Sequence, residues 1–470
     1  MRKKKLFVRW TIGFVVMLMV FASVNVSAES PESQFGYYTV LKSRHVTYDN
    51  FIRQVQQRGL ELVYEIREID IYQLRGTADQ IRLLGQSTSV ENYNRSVRAV
   101  EPSFSPMTAP RSVDLPELWE LQWDMHELTN QGSSYQVYAG SPHVVVGIVD
   151  SGLAINHPDL AANVRQGSKN LVPAGGFRGT EPNETGAADR LADLTGHGTH
   201  TAGQVAANGL MKGVAPNTGI RAYRVFGSTS AETVWVLKAI VEAAKDNVDV
   251  INLSLGSYLI KGKTFSADGK GNQDLVEIEG YRRAINYARR AGSVIVAAVG
   301  NDGINERDRK QFRAWMQAKL AEDGVRFTGN VYDVPAALPG VVTVSSVGPT
   351  GQLSSFSNYG NGLIDIAAPG GDTRYLEQYG MERWLAEGWY QKELILSTAP
   401  NGAYFFSSGT SAATPKVSGA LALIIGKYGY QKNPGVAERH LFQYGVDRSK
   451  GRDKAYFGNG HLNVYQAVSR

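Results

Sequence analysis

Three short segments constrain this chain more than anything else in it. Val144 to Val149 reads Val-Val-Val-Gly-Ile-Val, Val250 to Leu255 reads Val-Ile-Asn-Leu-Ser-Leu, and Val294 to Ala298 reads Val-Ile-Val-Ala-Ala. A strand with one wet face alternates apolar and polar residues. Near-continuous apolar text belongs to a strand buried on both faces. Both faces then need covering, and helical stretches lie between the runs: Thr199 to Ala207, Ala231 to Asp246 and Leu275 to Ala291, with Thr410 to Tyr428 as a later long helix. Strand, crossover helix and parallel strand predict an α/β domain from about Glu117 to Arg470. Its sheet is mostly parallel, with helices on both faces. In such a sheet, chemistry gathers at the carboxyl ends of the strands.

Three polar sites fall at or beside those ends. Asp150 closes the first apolar run, in Val149-Asp150-Ser151-Gly152. His197 opens a helix in Gly196-His197-Gly198-Thr199-His200, and Ser411 opens another in Gly409-Thr410-Ser411-Ala412-Ala413-Thr414-Pro415. A serine hydroxyl is a weak nucleophile without a base beside it. Histidine titrates near neutral pH and can take and return that proton. A carboxylate fixes the imidazole tautomer and stabilises the imidazolium. A helix N-terminus offers free N–H groups to a developing oxyanion, and Asn301, after Ala298-Val299-Gly300, is placed to add a side-chain amide. Taken singly, each piece has a plainer meaning. Asp-Ser-Gly is a common turn, Gly-Thr-Ser a common helix cap, and His197 with His200 could hold a metal. The conjunction points to acyl transfer, with each residue set in a glycine-rich turn.

The chain ahead of this domain divides in three. Residues 1–28 carry Arg2, Lys3, Lys4, Lys5 and Arg9 and no acid, followed by an apolar stretch from Thr11 to Val24 and then Val26-Ser27-Ala28. That is the layout of a cleaved export signal, and the apolar stretch is shorter than the ~20 residues a membrane span needs. Residues 29–111 read as a small α+β domain and its linker. A strand at Tyr37–Leu41, a helix at Tyr48–Gly59, a strand at Tyr64–Leu74, a helix at Ala78–Leu84 and an edge strand at Val97–Val100 are predicted. The linker holds Pro102, Pro106, Pro110 and Pro116, which leaves no room for a helix. The formal charge of +5 is supplied by the signal segment, so the remainder is neutral. A neutral body gives no reason to expect nucleic acid or a membrane surface as partner. The absence of cysteine excludes disulfides, thiolate metal sites and a cysteine nucleophile.

The motifs around Asp150, His197 and Ser411 resemble the three signatures of subtilisin-like serine peptidases, and the order Asp, His, Ser is that of subtilisin, a textbook-known arrangement in its own right. The resemblance covers about Trp119 to Ala467. It implies that Asp150 orients, His197 is general base then acid, Ser411 is the nucleophile and Asn301 an oxyanion donor. It further implies that Ser254-Leu255-Gly256 and Gly300 contact bound peptide, and that residues 29–111 are a propeptide acting as chaperone and inhibitor. No cofactor is required for the chemistry. Asp159, in His157-Pro158-Asp159-Leu160, matches a calcium ligand of many subtilisins. A calcium ion needs six or more oxygens, and only this one can be named, so a purely structural aspartate is an equal reading.

A closer resemblance lies between the motifs. Trp123-Asp124-Met125, Ser168-Lys169-Asn170-Leu171-Val172-Pro173, Tyr223-Arg224-Val225-Phe226-Gly227-Ser228 and Asp333-Val334-Pro335-Ala336 look like lantibiotic leader peptidases of the nisin-processing type. That implies a secreted, monomeric serine endopeptidase acting on a modified lantibiotic precursor and released without a membrane anchor. A broad extracellular protease is the alternative, and an inactive binding protein on the same scaffold a third. The linker ends Thr108-Ala109-Pro110-Arg111 before Ser112, so Arg111 is the expected autoprocessing site. Asp333, counted back from Leu338-Pro339-Gly340, falls where subtilisins have the bottom of the first specificity pocket. A carboxylate there favours arginine through a charge-assisted pair. Glu101, before Pro102, is the rival cleavage point. Residues 302–330 and 372–392 have no assigned role, and surface decoration is the simplest account of them.

Overall fold

The computed structural model describes residues 35–101, 106–108, 118–228, 230–266, 269 and 271–470. The expected signal segment, Arg111 and Ser112 lie outside the described residues. The N-terminal domain runs β1 (Gly36–Lys42), α1 (Tyr48–Gln57), β2 (Glu61–Ile66), β3 (Ile71–Gly76), α2 (Ala78–Gly85), β4 (Val90–Arg95) and β5 (Arg98–Val100). β1 to β4 form an antiparallel sheet in the order β2-β3-β1-β4. One face packs on α1 and α2 through Val40, Phe51, Val55, Tyr72, Leu74, Ile81 and Leu84.

Two predictions for this domain are corrected. Tyr64–Leu74 is not one strand but a hairpin, β2 paired with β3. The chain turns at Asp70, which takes a left-handed conformation (φ 60°) that a short polar residue tolerates. Val97–Val100 is not the last strand of the sheet. That place belongs to β4, whose Val-Glu-Asn-Tyr-Asn-Arg text lacks apolar alternation and is held by pairing to β1. β5 leaves the domain altogether and pairs elsewhere.

The larger domain follows. β6 (Met107–Thr108), α3 (Trp123–Thr129), α4 (Ser133–Val137), β7 (Val145–Asp150) and β8 (Lys169–Asn170) lead to α5 (His197–Ala206), β9 (Gly219–Arg224), β10 (Ser230–Glu232), α6 (Thr233–Lys245) and β11 (Val250–Leu253). Then come β12 (Ser257–Phe265), β13 (Gly271–Asn272), α7 (Leu275–Ala291), β14 (Val294–Ala298), α8 (Arg309–Ala321), β15 (Arg326–Val334), β16 (Val342–Val347) and β17 (Ile366–Pro369). α9 (Arg374–Tyr379), α10 (Met381–Ala386), α11 (Tyr390–Glu393), β18 (Ile395–Ala399), β19 (Ala403–Ser407), α12 (Thr410–Tyr428), α13 (Pro434–Tyr444), β20 (Val446–Asp447), α14 (Lys454–Phe457), β21 (His461–Leu462) and α15 (Val464–Ser469) complete it. The main sheet has the order β20-β21-β17-β16-β14-β11-β7-β9-β8. All its pairings are parallel except β20 with β21.

The apolar runs are buried on both faces for the expected reason. Val146 and Ile148 of β7 face one core, shared with α5 and α12. Val145 and Val149 face the other, shared with α6 and α7. The same second core takes in Leu41, Ile66, Ile69 and Ile71 of the N-terminal domain. That sheet therefore lies on α6 and α7. Polar contacts pin it there. Lys245 Nζ meets Glu68 at 2.7 Å and Arg283 meets Glu91 at 2.8 Å. Asn94 reaches across, accepting from the Val276 amide at 3.0 Å and donating to Glu277 at 2.7 Å. In effect a side chain of one domain caps a helix of the other.

The two unassigned stretches become definite elements. Residues 302–330 supply α8 and most of β15, and β15 pairs with β12 over the full length of both. Residues 372–392 form three short helices around Trp384, buried with its indole N–H on Glu393 at 2.7 Å.

Candidate active site

Asp150 is the last residue of β7, where the strand leaves the sheet. His197 is the first residue of α5, held there by a left-handed Gly196 (φ 90°). The two meet: His197 Nδ1 lies 2.7 Å from Asp150 Oδ1, and both side chains are buried. Burial depresses the imidazolium, but the adjacent Asp150 carboxylate and its hydrogen bond outweigh that and hold His197 above the ordinary histidine value. The carboxylate also accepts from the Ser151 amide at 2.8 Å.

Asp193, which sequence reasoning missed, locks the histidine turn. Its Oδ1 accepts from the Gly196 amide and from Ser151 Oγ, each at 2.8 Å, and its Oδ2 from the Thr199 amide at 2.8 Å. The signal was present as an aspartate just before a glycine-led helix start, the usual place for a cap. His200 is no metal partner for His197. Its Nε2 bonds the Ile395 carbonyl at 3.2 Å, its ring stacks on Phe405, and burial pushes it down to about 3.

Ser411 is the second residue of α12, and a helix start leaves its amide outside the intrahelical ladder. Asn301 is fixed by the same turn. Its Oδ1 accepts from the Thr410 amide at 2.8 Å and the Thr410 hydroxyl at 2.9 Å, which turns Nδ2 the other way. One point in space shows the convergence. A Cβ placed on Gly409 would lie 3.0 Å from Ser411 Oγ, 3.4 Å from Asn301 Nδ2 and 3.6 Å from Ser411 N. A side chain at 409 would fill the space these three groups face. The strand end beside them is braced too. Ser254 Oγ donates to the Ser411 carbonyl at 2.8 Å, and Asn252 accepts from Ser418 at 2.8 Å. Deeper on α12, fully buried Lys416 pairs with Asp124 at 3.0 Å.

Ser254-Leu255-Gly256 runs on from β11 with no ladder partner among the described residues. Across from that edge lies β10, which is paired antiparallel with β5 of the N-terminal domain. Beyond β5, Glu101 arrives at the dyad. Its carboxyl bonds Thr195 Oγ1 at 2.5 Å and lies within 4.8 Å of both the Asp150 and the His197 ligand atoms. Burial pushes it up to about 7. The chain is next described at β6, paired with β19, which leads into the Ser411 turn.

Asp333, at the end of β15 and opposite Tyr258 in the ladder, lies beneath this edge. A Cβ on Gly256 would stand 3.2 Å from Asp333 Oδ1. The structure therefore places Asp333 against Gly256, two residues beyond the Ser254 that holds the Ser411 carbonyl. Asp159 stands apart. Its carboxylate accepts from the amides of Leu210 and Met211 at 3.1 and 2.9 Å. Calcium wants oxygen ligands, and this carboxylate is surrounded by N–H donors, so these residues do not fit the ion.

Residues 141–460 match the subtilase family. The epidermin leader peptide-processing serine protease EpiP of Staphylococcus epidermidis is 38% identical over 475 residues, covering 98% of this chain and 99% of that protein. The nisin leader peptide-processing serine protease NisP of Lactococcus lactis subsp. lactis is 40% identical over 351 residues, 72% of this chain and 50% of that one. The crystal structure of the epidermin leader peptide processing serine protease from Staphylococcus aureus superposes with a TM-score of 0.82 at 40% identity, covering 93% of this chain and 98% of that one.

Proposed function

This chain belongs to the subtilase family and is a serine peptidase, and from that premise we propose that it removes the leader from a lantibiotic-type precursor peptide by cutting after arginine. The single observation that carries the leader reading is the end-to-end similarity to a leader-processing enzyme. The arginine reading is supported by Asp333, a buried acid directly under the free edge at Gly256.

In this reading Ser411 Oγ attacks the scissile carbonyl. His197 takes the hydroxyl proton and returns it to the leaving amine, while Asp150 holds the ring. Asn301 Nδ2 and the Ser411 amide receive the oxyanion. The acyl-enzyme on Ser411 is then released by water, activated by the same histidine. The peptide lies as an added strand along 254–256, its backbone supplying affinity and its side chains specificity.

The N-terminal domain acts in this reading as the enzyme's own inhibitor and folding partner, and the enzyme is exported. Support comes from β5 already paired along β10 and from Glu101 beside the dyad. Removal after Arg111 gives a mature chain beginning at Ser112. Because Glu101 occupies the dyad, Arg111 reaches the pocket only after the linker shifts or from a second molecule.

The test uses purified mature enzyme and two substrates, a lanthionine-containing precursor whose leader ends in arginine and denatured casein. One cut after that arginine, with casein left largely intact, is expected. Extensive casein digestion with no preference for the leader junction would replace this reading with that of a broad protease.

A further inference from the structure

The pocket floor behind Gly256 and Gly300 carries more acid than one arginine reader requires. Asp333 is 3% exposed, and its Oδ2 is buried with no hydrogen-bond partner. Glu306, 7% exposed, is its acidic neighbour and accepts from Asn358 Nδ2 at 2.9 Å. Asn358 is itself fixed, its Oδ1 accepting from the amides of Asp302 and Ile304 at 3.0 and 3.2 Å. Asp302 stands further out, accepting from the Tyr258 hydroxyl at 2.6 Å and facing Lys319 at 3.7 Å. Gly300 lets the backbone close directly on this group. A Cβ on Gly300 (φ 100°) would press within 2.7 Å of Asn358 Nδ2 and 3.0 Å of the Tyr258 hydroxyl.

Two neighbouring buried carboxyls do not both ionise, so the pair holds a proton. Burial, then the Glu306 charge, pushes Asp333 well above the usual carboxylate range, and burial pushes Glu306 up to about 8. An apolar side chain would leave this pair buried and unsatisfied. An ammonium would meet it with one compact, strongly hydrated charge. A guanidinium presents N–H groups on two edges of a plane, a fork that two carboxylates can grip.

We propose that Glu306 is a second specificity-determining residue, gripping with Asp333 the two edges of the substrate arginine, so that the enzyme selects arginine over lysine as well as over apolar side chains. The inference rests on the arginine reading above. The shared proton leaves to solvent as the guanidinium N–H groups take over both carboxylates. Nothing in the residue pattern singles out Glu306, which lies in the stretch 302–330 and comes beside Asp333 only through the fold.

The experiment measures kcat and KM for peptide amides with arginine, lysine, citrulline or leucine before the scissile bond, using wild type, Glu306→Gln and Asp333→Asn. Wild type is expected to favour arginine over lysine by about 10²-fold, the scale of a desolvated charge pair losing its match. Glu306→Gln should shrink that ratio at least tenfold, mainly through KM. A purely structural Glu306 would instead lower kcat for every substrate alike, which overturns the assignment. So does an arginine-to-lysine ratio that Glu306→Gln leaves unchanged while wild type still prefers arginine to leucine. Absence of any arginine preference in wild type sinks the underlying reading instead. If Glu306→Gln does not react with a fluorophosphonate and is therefore misfolded, the wild-type ratio decides, and a value near one contradicts the proposal.

Discussion

At the residue scale, the site is a set of side chains whose freedom is removed by their neighbours. Asn301 shows this well: with Oδ1 committed to Thr410, only Nδ2 is left for an oxyanion. Asn301→Ala is expected to lower kcat by about 10²–10³ with little change in KM, the scale known for loss of the corresponding donor in subtilisin. Steady-state kinetics on a single peptide amide checks it. The pH profile follows from the dyad. His197 must be neutral to accept the serine proton, and its acidity is set by Asp150, which holds it above the ordinary value of 6.5. Activity should therefore fall as pH drops through a point above 6.5, and kcat/KM against pH in the mature enzyme locates it. A fall centred below 6.5 would contradict that electrostatic account. Much at this scale was legible in the sequence, because Asp150, His197 and Ser411 each sit in a glycine-rich turn whose geometry is local. Asp193 was legible but missed, since it caps Gly196 and Thr199 close by, whereas Glu306 was not legible, since its partner Asn358 comes from a distant segment.

At the element scale, strands buried on both faces were read with little error. β14, α7 and α12 have the bounds their apolar text predicts, because burial on both faces leaves no other arrangement. β4 escaped notice because it is polar and held by backbone pairing, and the β2–β3 hairpin because its turn rests on one left-handed aspartate. The seam between the domains makes a testable prediction here. Asn94 caps α7 from the other domain. Asn94→Ala should weaken inhibition of the mature enzyme by the added N-terminal domain roughly tenfold, since a lost cap costs about 1–2 kcal/mol. Glu277 adds proton linkage. Burial, to which the N-terminal domain contributes through Asn94 and Val97, raises it to about 8 in the joined state, above the ordinary carboxylate value of 4.5. The joined state thus binds the proton more tightly, and its added stability is full below 4.5 and lost as pH rises through about 8. Inhibition constants measured at pH 5 and pH 9 should show weaker inhibition at the higher pH, and less so in Glu277→Gln.

At the scale of the whole molecule, the chain is a two-domain assembly in which Glu101, at the end of the N-terminal domain, lies beside the Asp150–His197 dyad. Stability is partly committed to the same helix that carries Ser411. Removing one partner of the fully buried Lys416–Asp124 pair leaves an uncompensated charge, so Asp124→Ala is expected to cost about 3–5 kcal/mol, readable as a lower midpoint in denaturant. The domain plan could be read from composition, with its proline-rich linker between two patterned regions. The placement of β5 and β6 could not, because it depends on pairing with strands more than a hundred residues away.

The central claim is that Ser411 cuts after arginine and that the enzyme's own linker displays the preferred sequence. Intact mass of the secreted protein, wild type beside Ser411→Ala, tests it most directly. Wild type should begin at Ser112, and the variant should keep the N-terminal domain. If both proteins carry the same N-terminus away from Ser112, another protease performs the maturation and the arginine account is contradicted.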